Sequence, residues 1–348
     1  QVLSAALTTH NFTGGTDPNT YRFNVTATDT AGNTTTSACS AAGLTIDTTF
    51  PATTTAMAWV EGTPYNSTSI NAGWVLGAAA DIANHRVEYF DDGTCAGSVA
   101  SSNLVSNSAT SDSFTGTNTN THSFRVVTID NAGNETTSVC SNLIVIDTDN
   151  PANGTGLVWA EGTNTNAVSI NANWVVSASA DSASQIVNIY TSNSCGGVAS
   201  HTSTSLANNI AAYNFAGIVS NNSYTYTITT TDTANNVSTS PCSTSIYIDH
   251  LPPANATALG FTEPTPYSGT TINANWTLST DADLASQVIQ VYSDNTCTIV
   301  YGSSVALNNA TSVHNITGVT DSNYYSYTIQ STDTGGNSST SGCSSALL

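Results

Sequence analysis

Tyr21-Arg22-Phe23-Asn24-Val25-Thr26-Ala27-Thr28-Asp29-Thr30-Ala31-Gly32-Asn33 is a stretch that the chain uses four times. It returns as His122-Ser123-Phe124-Arg125-Val126-Val127-Thr128-Ile129-Asp130-Asn131-Ala132-Gly133-Asn134, again from Tyr224 to Asn236, and again from Tyr325 to Asn337, at spacings of 101, 102 and 101 residues. Large apolar side chains alternate with small polar ones, as in Tyr224, Tyr226 and Ile228. A period of two is the mark of a half-buried strand. The Asp, two spacers and Gly-Asn that close each copy are tight-turn chemistry, tolerant of positive φ. Each stretch therefore predicts a long strand running into a hairpin.

Working outward, the chain divides into residues 1–47, 48–148, 149–250 and 251–348. The first carries only the back half of a repeat, and the last stops short of the Ile-Asp that ends the others, so the chain is read as a window from a longer repetitive protein. The joints run Asp47 to Ala52, Asp147 to Ala152 and Asp249 to Ala254, and each contains proline. Proline fixes φ and holds the residue before it extended, which predicts short, stiff linkers. After each joint comes a strand with Trp59, Trp159 or Phe261, then the cleanest alternation in the chain: Ile70, Ala72, Trp74, with Ile170, Ala172, Trp174 and Ile272, Ala274, Trp276 as its copies. About seven strands in about 100 residues is the pattern of a Greek-key β-sandwich.

Composition narrows the function. There are 3 Lys+Arg against 23 Asp+Glu, for a formal charge of −20, and all the basic residues are Arg. No basic patch exists to neutralise phosphates, which excludes nucleic acid as a partner and disfavours an anionic membrane surface. No apolar run is long enough for a membrane-spanning helix, so membrane insertion is not expected. Only 7% of residues are charged, so Ser, Thr, Asn and Ala must build the surface.

The cysteines fall in two series, Cys39, Cys140, Cys242, Cys343 and Cys95, Cys195, Cys297. Pairing within a repeat gives Cys95–Cys140, Cys195–Cys242 and Cys297–Cys343, and leaves the Cys39 partner outside the chain. Pairing across repeats gives Cys39–Cys95, Cys140–Cys195 and Cys242–Cys297. The first is preferred because both ends then lie in one folded unit, and closing such a loop stabilises by about 4 kcal/mol on the chain-entropy account. Either set implies an oxidising compartment.

The Trp strand, the Asp-led loop into the third strand, the Tyr…Asp-x-Ala-Gly-Asn hairpin and the Ile-Asp-x-x-x-Pro-Ala joint together resemble bacterial immunoglobulin-like or fibronectin type III-like repeats of large surface and secreted proteins. The resemblance implies an all-β chain of tandem Greek-key sandwiches, beads on a string, at the bacterial cell surface or outside the cell. Tyr21, Tyr224 and Tyr325 take the place of that class's tyrosine corner; His122 replaces it once. The class also puts the repeated acids at the joints: Asp47, Asp81 and Asp130 at the first; Glu61, Asp147, Asp149, Asp181 and Asp232 at the second; Glu161, Asp249, Asp281 and Asp333 at the third. Carboxylates gathered with carbonyls are what Ca²⁺ requires, whereas the same Asp residues acting singly are turn caps, the more ordinary reading.

The six His residues occupy unmatched places in the repeats and are expected at the surface. No Ser/His/Asp, Cys/His or zinc pattern is visible, so no enzymatic activity is expected. Three readings stand: a stiff stalk, surface fibre or filament, adhesive or self-associating; a polysaccharide-binding module using Phe90, Tyr190 and Tyr292, which lie on the strand face opposite Val87, Val187 and Ile289; or an accessory region of a large secreted enzyme.

Overall fold

The computed structural model describes residues 1–320 and 322–348. Among them every regular element is a β-strand. Contacts divide the chain into two compact units, residues 1–149 with 233–236, and residues 150–232 with 237–348.

In the first unit, Thr55–Trp59, Ser69–Val75 and Ser111–Thr115 form one antiparallel sheet. The facing sheet runs Glu135–Thr137, Thr121–Asp130, Ile82–Phe90, Ser101–Ser106, with Ile144–Val145 also on the long strand. The strand order is first-second-fifth against fourth-third-sixth-seventh, a Greek-key sandwich of the immunoglobulin-like class. Its core holds Trp59, Ile70, Ala72, Trp74, Val87, Tyr89, Phe124 and Val126. These are the inward positions of the period-two pattern.

The second unit contains two cores of the same design. One gathers Trp159, Ile170, Trp174, Ile189, Tyr226 and Ile228 between Thr155–Trp159, Ile170–Val175, Ala212–Phe215 and the sheet built on Ser182–Tyr190 and Asn222–Asp232. The other gathers Ile272, Trp276, Ile289, Tyr327 and Ile329 between Thr257–Phe261, Thr271–Thr277, Val313–Thr317 and the sheet built on Leu284–Tyr292 and Ser326–Asp333. Burying each Trp contributes a few kcal/mol, about 25 cal/mol per Å² of apolar surface.

The cysteines pair within repeats, Cys95–Cys140, Cys195–Cys242 and Cys297–Cys343. Serines let them do so. Ser138 and Ser141 flank Cys140; their backbone N–H groups donate to Val126 and Phe124 carbonyls, and their hydroxyls accept from the N–H groups of the same two residues. Ser240 and Ser243 repeat this on Ile228 and Tyr226, and Ser341 and Ser344 on Ile329 and Tyr327. The hydroxyl completes the ladder, so the chain between the two serines can leave the sheet and reach the opposite cysteine. The hairpins after the long strand turn through left-handed residues, Gly32, Gly133 and Gly336 at φ near 90° and Asn235 at 71°. Asn is the non-glycine residue that enters this region most readily.

Two of the histidines expected at the surface are core residues. His122 is fully buried at the tyrosine-corner position. Its Nε2 accepts the Thr117 N–H at 3.2 Å, as the hydroxyls of Tyr224 and Tyr325 accept from Val219 and Thr320 at 2.8 and 2.9 Å. The imidazole therefore keeps the corner contact, and its Nδ1 lies 3.0 Å from Asp91 Oδ1. His85 is also fully buried and stands where the other repeats have Gln185 and Gln287. Those glutamines accept the indole N–H of Trp174 and Trp276 at 2.9 Å. His85 instead uses Nδ1 toward Thr128 and Nε2 toward the Asn107 carbonyl, both at 3.3 Å, and the buried Trp74 indole nitrogen has no hydrogen-bond partner among the described residues.

A buried donor without an acceptor costs about 1–3 kcal/mol. His85→Gln is therefore expected to stabilise the first sandwich by about 1 kcal/mol, read as a rise in the midpoint of chemical unfolding. Burial holds the His85 pKa below its ordinary value, against the Asn107 carbonyl, which raises it. The unfolded chain then takes up the proton before the folded one, so wild-type stability should fall as pH drops below the ordinary histidine value of about 6.5, and the glutamine variant should lose that component. A variant no more stable than wild type, with the same acid profile, would refute this account.

Candidate metal centre

The hairpin Asp of the recurring stretch is the anchor. Asp130 is buried; its Oδ1 accepts from the Ala132 and Asn134 N–H groups at 2.9 and 2.8 Å, and its Oδ2 from Asn134 Nδ2 at 2.8 Å. Asp333 is held in the same way by Asn337, at 2.8 Å from its N–H and 3.0 Å from Nδ2. The Asn side chain then reaches back to the joint. Asn134 Nδ2 lies 3.3 Å from the Asp47 carbonyl, and Asn337 Nδ2 donates to the Asp249 carbonyl at 2.9 Å. The loop before the third strand is tied in as well, since Asn131 N–H donates to the Asp81 carbonyl and Thr334 N–H to the Asp283 carbonyl, both at 3.0 Å.

These ties bring three carboxylates together in each unit. In the first, Asp47, Asp81 and Asp130 each place an oxygen within 4.8 Å of the others. In the second, Asp249, Asp283 and Asp333 do the same. Of the equivalent acids between them, Asp147 belongs to the first unit and Asp181 and Asp232 to the second.

Four acids expected in these sets are placed elsewhere. Glu61 accepts the Asn71 N–H at 2.9 Å and Asn71 Nδ2 at 2.7 Å; Glu161 holds Asn171 at 3.0 and 2.7 Å in the same way. Their carboxylates clamp the hairpin of the first two strands, as Glu263 does with Asn273. Asp281 accepts from the Ala254 N–H at the end of the joint and from the Ser279 hydroxyl, leaving the place in the carboxylate set to Asp283. Asp149 is exposed, with its N–H donated to Asp147 Oδ1 at 3.1 Å. Asp283 could have been found from spacing, because Trp174 to Trp276 and Cys195 to Cys297 are both steps of 102, which carries Asp181 to 283.

The two sets differ electrostatically. Burial pushes Asp130 up, but the Asn134 side chain and the N–H groups of Asn134, Ala132 and Gly133 outweigh it and leave the carboxyl below its ordinary pKa. Asp283 is raised: burial is the main cause, and the charges of Asp333 and Asp249 act in the same sense against its own N–H. A proton or a divalent cation would relieve the repulsion among three negative groups this close. Ca²⁺ takes six to eight oxygens, so the carboxylates would supply part of a shell that carbonyls or water complete.

The expected outcome is a rise in thermal midpoint when millimolar CaCl₂ is added to chelator-treated protein. Asp283→Asn should raise the midpoint without Ca²⁺, by removing like-charge crowding, and should lose the response of its own set to the ion. Because the native Asp283 pKa is raised, its crowding should also ease as pH falls from neutrality, the reverse of a carboxylate held by partners. Scanning calorimetry with and without the ion reads all three, and midpoints indifferent to Ca²⁺ would leave these acids as turn caps alone.

No family model matches the chain, and no curated protein matches it. Among solved structures, the crystal structure of chicken CNTN1 FN1–FN3 domains is similar at 13% identity, covering 84% of this chain and 96% of that chain, with a TM-score of 0.36.

Proposed function

We propose that the chain is a structural repeat region, a stiff stalk, surface fibre or filament of a larger bacterial protein, working outside the cell and carrying out no catalysis. The observation that supports it most is recurrence of the framework alone. The same aromatic core and the same disulfide recur in register in all the complete sandwiches, and the Asp–Asn hairpin tie recurs at Asp130–Asn134 and Asp333–Asn337. The stretches between them change freely. Selection for a ligand would be expected to keep a matched set of outward side chains. The disulfides suit an oxidising compartment. A surface with few charges favours close lateral packing, while a net charge of −20 opposes self-association at low salt.

The polysaccharide reading draws no support from the aromatic positions that suggested it. Phe90 is buried, with the Arg125 guanidinium 5.0 Å above its ring, and Tyr190 and Tyr292 are half-buried.

A spacer must resist extension. Pulled from its ends, the oxidised chain should lengthen only by residues outside the disulfide loops. Loops of 45, 47 and 46 residues should each add about 160 Å of contour length after reduction. Single-molecule force spectroscopy with and without reductant measures this. Saturable binding to a polysaccharide panel, lost on replacing Tyr190 and Tyr292 by Ala, would replace the spacer reading with the second.

A further inference from the structure

In the second unit, one hairpin reaches across the joint between the unit's two sandwiches. The near side of that joint belongs to the sandwich before it. There the short strand Asn164–Thr165 lies parallel to Ile246–Ile248. The pairing continues past the strand: the Asp249 N–H donates to the Thr165 carbonyl at 2.9 Å, and the His250 N–H to the Ser220 hydroxyl at 3.1 Å. His250 Nε2 also lies 3.0 Å from the Ala167 carbonyl. Asp249 and His250, which open the joint in sequence, are thus strapped to the body that precedes them.

The far side is the hairpin Asp333–Asn337. Its shape is set within its own sandwich, by Asp333 holding Asn337 and by the Thr334 N–H on the Asp283 carbonyl. Its tip then meets the neighbour. Thr334 Oγ1 accepts from Asn164 Nδ2 at 2.8 Å, and Asn337 Nδ2 donates to the Asp249 carbonyl at 2.9 Å. Asn164 Oδ1, on the same amide, is screened from solvent. Gly335 lies between these bonds and is buried. A Cβ there would stand 3.1 Å from Asp249 Cβ, whereas carbons in contact sit about 3.5–4.0 Å apart. The other copies carry Ala31, Ala132 and Ala234 at this place, so glycine lets this hairpin approach Asp249 more closely than alanine would. We infer that the hairpin Asp333–Asn337 is a latch: it couples the Asn164–Thr165 edge of one sandwich to the next, so that edge and hairpin open together.

Two bodies joined by a linker alone would open independently. In stacked repeats a contact of this kind acts as a nearest-neighbour term, felt on both sides of the boundary. Asn164, Thr334 and Gly335 are uncharged, so the coupling needs no cation and is separable from the carboxylate set beside it. It also stands apart from what the chain does, and its failure would leave the spacer proposal untouched.

The test is residue-resolved amide exchange by NMR on the whole 348-residue chain, with chelator present. Thr334→Val removes the acceptor, and exchange at Tyr247 and Asp249, in the sandwich that was not substituted, should quicken about threefold or more. Asn164→Ala should do the same to Thr334 and Gly336. The double variant should match the faster single one rather than multiply the two effects. Gly335→Val should reproduce Thr334→Val by holding the hairpin away, and Thr334→Ser, which keeps an acceptor, should exchange as wild type does. Ile228 and Ile329, in the long strands, should be unchanged in Thr334→Val and Asn164→Ala. Effects confined to the substituted sandwich, effects that multiply in the double variant, or a Thr334→Ser chain that behaves like Thr334→Val would each overturn the inference.

Discussion

One contact recurs across the middle of every complete sandwich: an aromatic of the first strand set edge-on to the aromatic of the long strand. Trp59 meets Phe124 at 4.9 Å and 71°, Trp159 meets Tyr226 at 4.7 Å and 72°, and Phe261 meets Tyr327 at 5.3 Å and 80°. Edge-to-face geometry sets the positive ring edge on the negative ring face and contributes about 0.5–1.5 kcal/mol beyond area burial. Its larger consequence is positional. It fixes which face of the long strand looks inward, and with a period of two that choice sets every other side chain of the strand. The serine ladder, the corner and the hairpin Asp all take their places from that register.

A chain with 7% charged residues satisfies many of its polar atoms with neutral partners, and the same residue types recur in the same tasks. Serine hydroxyls complete the last strand's ladder. Asn208 and Asn309 donate to the Ser182 and Leu284 carbonyls beside the third strand. Gln185 and Gln287 serve indole and backbone at once, each taking a Trp N–H and donating to loop carbonyls. Buried polar groups cost least when every valence is used. In the first sandwich His85 takes the glutamine's place, and the Trp74 indole has no acceptor among the described residues.

The fold was legible because its signal is repeated: alternation, turn residues and cysteines at a constant spacing leave little freedom to misplace a strand. The candidate site was legible in part. Asp47, Asp81 and Asp130 could be placed together from topology, since each sits at a landmark that recurs. Glu61 and Glu161 also recur, but recurrence reports a shared role without saying which. Their partners Asn71 and Asn171 lie ten residues on, across a hairpin whose register no local pattern reveals. The two buried histidines were misread for the opposite reason. They do not recur as histidines, yet each occupies a recurring position whose demand for hydrogen bonding, by Tyr in one case and Gln in the other, an imidazole can meet.

Charge follows the same division of labour. Two of the three basic residues stand on one sheet of the first sandwich, where Arg86 grips Glu135 through both carboxylate oxygens at 2.9 and 2.8 Å, and the buried Glu88 lies between Arg86 and Arg125 at 3.0 and 2.8 Å. At the corresponding place the next sandwich has Asn188, bonded to Thr229 and Thr202 at 3.1 and 3.0 Å, and needs no ion. Removing one partner from the charged version would strand a buried carboxylate, whereas the neutral version loses one ordinary hydrogen bond. A repeat framework tolerates either solution because the outward face of this sheet is independent of the aromatic contact beneath it. The arginines committed there leave little cationic charge elsewhere to offset the acids gathered at Asp249, Asp283 and Asp333.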